Sequence, residues 1–416
     1  MRVALVSDCY LPRLGGIEMH VHDLAVQLQR AGHTVTVFTV TDAASELGDL
    51  AVVRLPAIGG LPLPVATERL RRELPKYDVV HAHTSLFSPL AWSATRMAAE
   101  VDLPATITMH SLPAAGGVAV PWTLARLDRG FGPRVLWTAV SEVVATSLRK
   151  ALPGRPVEVL HNGIDPSPWR VPERPDHVLT VVSTMRLARR KRPAALLHTL
   201  QDIRRKLPSE VALRAVIVGA GPQASALTRI VRQRELADWV EMPGRLTRFE
   251  IQQLYAAADV YLAPAELESF GVAALEARCA GLAVVAMASG GVGEFVRPGV
   301  EGFLVGNDRE MAAATVGLLT DPSLLLRIQD HNRHTDPAMT WDTVVDRHLS
   351  AYARILPQPA LSEQSLASVS WMFRQLWSLT DEPARPAQSA VPAGPAGRAL
   401  GDVRRDRSAD RILPAG

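Results

Sequence analysis

Short runs that are apolar at nearly every position alternate along this chain with longer stretches whose apolar residues recur at helical spacing. Strands apolar on both faces and separated by helices belong in a parallel sheet covered on both sides. In the first half the strand-like runs are Val3 to Cys9, Thr34 to Val40, Asp78 to His83, Ala105 to His110, Val135 to Val140 and Val157 to Leu160. A helix is expected from about Ile17 to Ala31, ended by Gly32. Residues 164–175 then hold four prolines in twelve positions. Each proline fixes φ and removes a backbone donor, so an extended linker is expected there. The alternation restarts with Val178 to Ser183, Leu213 to Val218, Asp259 to Ala263 and Ala283 to Ala286. Thr247-Arg-Phe-Glu250 is a capping box that should open a helix running to Ala257.

The pattern predicts an α/β protein with two Rossmann-like, doubly wound parallel-sheet domains facing a central cleft, one at residues 1–163 and one at 177–357, joined by a proline-rich linker at 164–176. Beyond them, Leu366, Val369, Phe373, Leu376 and Trp377 form an apolar stripe, and a C-terminal amphipathic helix is expected over 358–380. The last segment, 381–416, is rich in Pro, Ala, Gly and Arg and has no aromatic residue, so a disordered tail is expected.

Composition removes several classes. Forty-five Lys and Arg against 42 Asp and Glu give a net charge of +3, too little for bulk nucleic-acid binding. Two cysteines far apart, Cys9 and Cys279, make no disulfide framework and fit a reducing compartment. The first apolar run is too short for a signal peptide, and no stretch approaches the length of a membrane span. A cytoplasmic location is expected, with peripheral contact at the inner membrane face left open by two features. One is the C-terminal stripe; the other is the basic helical stretch from Val65 to Lys76. Packing of the stripe on the protein's own domains is the competing reading.

Ligands of open α/β sheets bind beyond the carboxyl ends of the strands, and the unusual residues fall there. Gly15 and Gly16 lie between the first strand and first helix, where backbone can approach an anion at a helix N-terminus. Alone the pair also fits a plain turn, and it lacks the spacing of a dinucleotide fingerprint. Histidines cluster near strand ends at His81, His83, His110 and His161. Their separations match no compact metal motif and neither cysteine lies among them, so no metal site is expected. His110 is best placed to meet a substrate; the other three are expected to bond backbone groups. Five of the seven residues from Arg186 to Arg192 are basic and follow a strand. Cations at a helix start oppose the macrodipole unless an anion is bound, so Arg186 and Lys191 read as a phosphate clamp. Gly219-Ala-Gly221-Pro222 repeats the strand, glycine turn and helix pattern, with Pro222 suited to a first helical turn.

Pro264-Ala-Glu-Leu-Glu268-Ser-Phe-Gly271-Val-Ala-Ala-Leu-Glu276 carries most weight. Glu268 should lie in a loop after a strand and Glu276 in the following helix, with the N–H groups near Phe270 and Gly271 open to a phosphate. Glu276 falls in an otherwise apolar stretch, where an unpaired charge is costly. A carboxylate there can grip sugar hydroxyls and leave a diphosphate to the cations.

With these stations in order from about residue 1 to 355, the chain resembles the family 4 retaining glycosyltransferases of the GT-B fold. The matching elements are Gly-Gly-Ile-Glu18, His-Asn-Gly-Ile-Asp165, Arg186 with Lys191, Glu268 with Glu276, Gly290-Gly-Val-Gly-Glu294 and Gly299-Val-Glu-Gly-Phe-Leu-Val305. Met185 departs from the pattern, which has Gly before the arginine. The resemblance implies transfer of a hexosyl group from a UDP- or GDP-sugar to a lipid, glycan or small-molecule acceptor with retained configuration. By it, Arg186 and Lys191 hold the diphosphate, Glu268 and His110 contact the sugar, Glu276 the ribose, and Gly16 backs the phosphate. No Asp-x-Asp occurs, so neither a metal-bound diphosphate nor any cofactor beyond the donor is required. A sugar-nucleotide epimerase of the same fold and a non-catalytic carbohydrate-binding protein are the alternatives; a nicotinamide dehydrogenase lacks its fingerprint.

Overall fold

The computed structural model describes residues 1–43, 48–111, 119–170, 172 and 178–357. The expected helix at 358–380 and tail at 381–416 lie outside them. Met1–Pro357 forms one compact unit built on two parallel sheets.

The first sheet draws on β1 Arg2–Ser7, β2 Thr34–Thr39, β3 Ala51–Arg54, β6 Val79–Thr84, β7 Ala105–Met109, β8 Leu136–Ala139 and β9 Val157–Val159. A small hairpin, β4 Ala57–Ile58 with β5 Leu61–Pro62, stands apart. Helices α1 Gly16–Arg30, α2 Pro64–Glu73, α3 Pro89–Glu100, α4 Ala119–Phe131 and α5 Glu142–Ala151 connect the strands. The strand order is β3-β2-β1-β6-β7-β8-β9. The second sheet has β10 Leu179–Thr184, β11 Leu213–Val218, β12 Val240–Gly244, β13 Val260–Ala263, β14 Ala283–Met287 and β15 Gly302–Val305 in the order β12-β11-β10-β13-β14-β15. Its helices are α6 Pro193–Lys206, α7 Ala224–Gln233, α8 Arg248–Tyr255, α9 Val272–Cys279, α10 Asp308–Thr320 and α11 Pro322–His334. Both orders are doubly wound, and each reverses direction beside its first strand: between β1 and β6, and between β10 and β13. Crevices open at such reversals, which fixes where ligands can enter.

Strands β1, β6, β7 and β14 are buried along their whole length or all but one residue, as sheets covered on both faces require. The capping box at Thr247 forms as expected, although α8 stops at Tyr255. Pro222 lies before the Gln223 cap of α7 and so outside the helix.

The proline-rich connection departs from the expected extended linker. Ile164 pairs with Thr340 in a parallel bridge, and Ser167–Trp169 makes a single 3-10 turn. Trp169 is fully buried against the Tyr255 ring, with the Arg248 guanidinium 5.4 Å from the centre of its own ring. Prolines stiffen this segment, and one aromatic side chain turns it into packed structure.

The last described helix, α12 Trp341–Ile355, follows the second domain in sequence but packs on the first. The Trp341 ring stacks on His20 of α1 at 5.7 Å, and Tyr352 shares a 2.6 Å hydrogen bond with His81 of β6. Arg354 pairs with Glu158, and Arg347 reaches the ring of His161.

Candidate active site

Loops from the carboxyl ends of both sheets meet. The Ser141 hydroxyl donates to the Ser269 carbonyl at 2.5 Å. Glu294 accepts from the Glu142 backbone N–H at 2.7 Å and pairs with His161 at 3.0 Å. One carboxylate thereby ties the second domain to two stations of the first. The side chains expected to carry chemistry sit around this seam.

Lys191 and Glu268 occupy the second crevice, one after β10 and the other after β13, and form an ion pair. Both are largely shielded, with 22% and 19% of the side chain exposed. Arg186 projects from the same loop, exposed, and its side chain makes no hydrogen bond or ion pair among the described residues. The remaining cations divide. Arg192, in the left-handed region at φ 55°, binds Asp308 twice at 2.8 Å and the Pro264 carbonyl at 2.9 Å. It also pairs with Glu266 at 3.2 Å. Arg192 is therefore a structural clasp between loops, and Glu266 is one of its partners.

Glycines set the shape of this crevice. Gly219 has φ 138°, and a Cβ there would collide with the Met185 carbonyl oxygen. A Cβ on Gly221 would strike the Leu187 backbone at 2.5–2.8 Å. Met185 and Leu187 donate to the Val218 and Ala220 carbonyls at 3.0 Å each. The backbone on both sides of Arg186 thus lies directly on the glycine loop, a close approach that Gly219 permits. Likewise the Gly291 N–H donates to the Glu268 carbonyl at 2.8 Å, seating the 290–294 turn under the carboxylate loop.

Helix α9 starts at Gly271, φ 95°, with no side-chain cap, while Phe270 is buried against Phe295 and beside His161. Unsatisfied N–H groups remain at that helix start. Glu276 lies one turn on. Burial pushes its carboxyl up to about 7, opposed by Arg248, which approaches at 3.4 Å, and reinforced by Asp23. Arg248 also faces Asp23 of α1 at 3.8 Å, so this cation spans the two domains.

In the first crevice, Gly15 caps α1 in extended conformation without a side-chain partner, and Gly15 and Gly16 are exposed. The buried carboxylate of Glu18, paired with Arg13 at 3.0 Å, lies against Gly15, while nothing described crowds Gly16. At the N-terminus of α3, Asp8 accepts from Leu90 at 2.9 Å and Ala91 at 3.1 Å, and burial raises its carboxyl to about 6. An internal carboxylate already fills the place an anion would take there.

The histidines behave differently from the sequence expectation. His81, His83 and His161 bond side chains rather than backbone, because β6 buries the first two deep under α12. His81 bridges Tyr352 and Thr108, each at 2.6 Å. His83 Nδ1 meets His110 Nε2 at 3.0 Å. His20 of α1, a position the sequence reading passed over, joins them with its ring 5.3 Å from His110. Its signal was only that of a polar residue on an apolar helix face. Burial first, and the neighbouring imidazoles second, hold His20, His81 and His83 well below the usual histidine range. His110 is held at about 3 and His348 at about 4, so all five rings are neutral at neutral pH. A neutral His110 at the end of β7 can donate or accept a hydrogen bond to a sugar hydroxyl.

Two doubly wound sheets with their carboxyl edges facing, cations beside a reversal point and two carboxylates opposite, define a nucleotide-sugar glycosyltransferase of the GT-B class. Known proteins agree. A family model described as Glycosyltransferase Family 4 matches residues 14–168, and one described as Glycosyl transferases group 1 matches residues 170–335. The chain belongs to this glycosyltransferase family. It is 28% identical over 382 residues to a GDP-mannose-dependent alpha-(1-6)-phosphatidylinositol monomannoside mannosyltransferase of Mycobacterium tuberculosis, covering 82% of this chain and 96% of that one. It is 28% identical over 387 residues to a D-inositol 3-phosphate glycosyltransferase of Rhodococcus opacus, covering 81% and 85%. Among solved structures, Anabaena HepE in complex with UDP and glucose superposes with TM-score 0.69 at 20% identity over 85% of this chain and all of that one. The lipopolysaccharide glycosyltransferase WaaG gives 0.64 at 16% identity over 83% and 99%. These two likenesses establish the shared fold.

Proposed function

We propose that the protein moves a hexosyl group from a UDP- or GDP-sugar to a lipid, glycan or small-molecule acceptor with retention of configuration. The observation that carries this reading is the Lys191–Glu268 pair beside the exposed Arg186 at the second reversal point. Without donor the two charges neutralise each other. A donor offers each a better partner: diphosphate oxygens for Lys191 and sugar hydroxyls for Glu268. As the bond from the anomeric carbon to the diphosphate breaks, its electron pair goes to the leaving phosphate oxygen, while the acceptor hydroxyl oxygen bonds to the anomeric carbon and gives up its proton to the departing diphosphate. Arg186, Lys191 and the open start of α9 at Phe270 and Gly271 are preorganised for that charge. Glu276 takes the ribose, His110 the sugar, and the exposed Gly15–Gly16 turn backs the phosphate; Gly219 supports the Arg186 loop. With cations and helix N–H groups on the diphosphate, no metal is needed there and no cofactor beyond the donor.

The relatives named for phosphatidylinositol monomannoside and for D-inositol 3-phosphate favour an inositol-containing acceptor, and the first of them favours a lipid. Among the described residues no single helix is long and apolar enough to cross a membrane. The first domain instead carries Ile58, Leu61 and Val65 at 70%, 52% and 60% exposure next to the exposed Arg69 and Arg72 of α2. This combination suits peripheral contact with an anionic bilayer at the cytoplasmic face, and no nucleic acid is expected as a partner.

The deciding experiment measures nucleotide released from a panel of UDP- and GDP-sugars with and without phosphatidylinositol-type acceptors. Release that requires the acceptor, with the sugar recovered on it, is expected. Acceptor-independent release of nucleoside diphosphate with a free altered sugar would instead identify an epimerase.

Glu276 supplies a pH prediction. Only its ionised form accepts two ribose hydroxyls, and it titrates at about 7 in the free protein. Donor affinity should therefore fall about tenfold between about pH 8 and about pH 6. Glu276→Gln should bind more weakly but lose most of this slope, measured by calorimetry. On vesicles containing anionic phospholipid, the protein should co-sediment at low salt. The double variant Arg69→Glu, Arg72→Glu should lose about thirtyfold or more in vesicle affinity, at about 1 kcal/mol per cation removed from near the surface.

A further inference from the structure

We propose that His20, His83 and His110 form a binding site for a divalent transition metal of the zinc class. One imidazole nitrogen from each residue lies within 4.8 Å of the others. The three ring centroids sit at the corners of a nearly regular triangle, 5.7, 5.3 and 5.2 Å apart. Each ring comes from a different rigid element: α1, β6 and the end of β7.

The second observation concerns hydrogen bonds. His20 is 4% exposed, yet among the described residues neither its Nδ1 nor its Nε2 has a partner. A neutral imidazole always presents one donor and one acceptor, so these buried atoms are unsatisfied as they stand. His83 Nδ1 and His110 Nε2 are 3.0 Å apart, close to the spacing of two nitrogens that share a tetrahedral ion at about 2.0–2.1 Å each. Trp341 stacked on His20 fixes that ring's plane from behind. Three imidazoles without a carboxylate among them select zinc, cobalt, nickel or copper over magnesium or calcium.

This site is separate from the diphosphate clamp, and an ion there is no part of the transfer step. It shares only His110, 7% exposed, with the sugar contact proposed above. A bound ion would engage His110 Nε2, fix its ring and slow transfer.

The test uses the full chain, stripped with chelator and titrated with cobalt(II). One equivalent should give a visible absorption band that zinc(II) bleaches and magnesium does not, and zinc should raise the melting temperature. His20→Gln and His83→Gln should lose band and shift alike. Should either variant fail to fold, X-ray absorption at the zinc edge of the wild-type chain counts imidazole ligands directly, with three expected. No band and no melting shift in the wild type, or a band undiminished in folded variants, overturns the site; a water filling the triangle would give that result. Metal binding that leaves transfer at full rate supports the site and removes His110 from the sugar contact.

Discussion

Lys191→Ala is expected to lower turnover by about 10²–10³-fold, the range for removing one preorganised charge from a developing oxyanion. The fold should survive with a loss of about 1–3 kcal/mol, because the largely shielded Glu268 carboxylate loses its partner. The variant separates two roles for Lys191. If it only holds Glu268 in place, Lys191→Ala should raise the donor KM and leave kcat near normal. If it stabilises charge on the leaving diphosphate, kcat should fall and an arginine at the site should restore part of it. Single-turnover kinetics on Lys191→Ala, Lys191→Arg and Glu268→Gln, each with a melting curve, distinguish these cases. Wild-type turnover in Lys191→Ala would remove the second crevice from the reaction.

Gly219→Ala should have the largest structural effect of a single methyl group. At φ 138° an alanine is strained before any contact is considered, and its Cβ meets the Met185 carbonyl. The neighbour is backbone tied to β11, so it cannot yield without breaking the 3.0 Å bonds that hold Met185 and Leu187. Strain and overpacking together should cost about 3 kcal/mol, or about 6–12 °C in melting temperature for a domain of this size. The backbone that aims Arg186 must shift as well, so donor affinity should fall with stability. Gly16→Ala is the control: nothing lies within 4 Å of its Cβ position, and stability should change by less than about 0.5 kcal/mol. Equal melting temperatures for the two variants would refute the packing role of Gly219.

The sequence made the central strands easy to find, since β1, β11, β13 and β14 are covered on both faces and read as nearly continuous apolar runs. It hid three edge strands. Ala51–Arg54 is half-exposed, Val240–Gly244 contains Pro243, and Gly302–Val305 begins on a glycine. An edge strand has one side free of pairing, so it tolerates proline and needs fewer apolar residues. Among the chemical stations, spacing was informative only where it is local. Glu268 and Glu276 fall on one loop and its helix, and their relation could be read directly. The triangle of His20, His83 and His110 depends on three elements brought together by sheet order, and the separations along the chain conceal it. Glu301 gives the opposite case. It stands in a stretch that resembles family motifs, yet it lies 2% exposed and binds Arg297, with Arg278 and His331 beside it. Burial pushes its carboxyl up, but these partners prevail and hold it at about 2, so its role is to anchor β15.

Helix α12 gives the protein an order of assembly. The first 160 residues contain every described strand of the first sheet, but the surface of β6 and α1 that carries His81 and His20 is covered by Trp341, His348 and Tyr352 of α12. A ribosome releases that roof some two hundred residues after the sheet it covers. Until then the nascent first domain presents an open apolar trough lined with histidines, and its closure waits for the second domain to be made. Sugar-transfer competence therefore arrives in one late step, when α12 returns to the beginning of the chain.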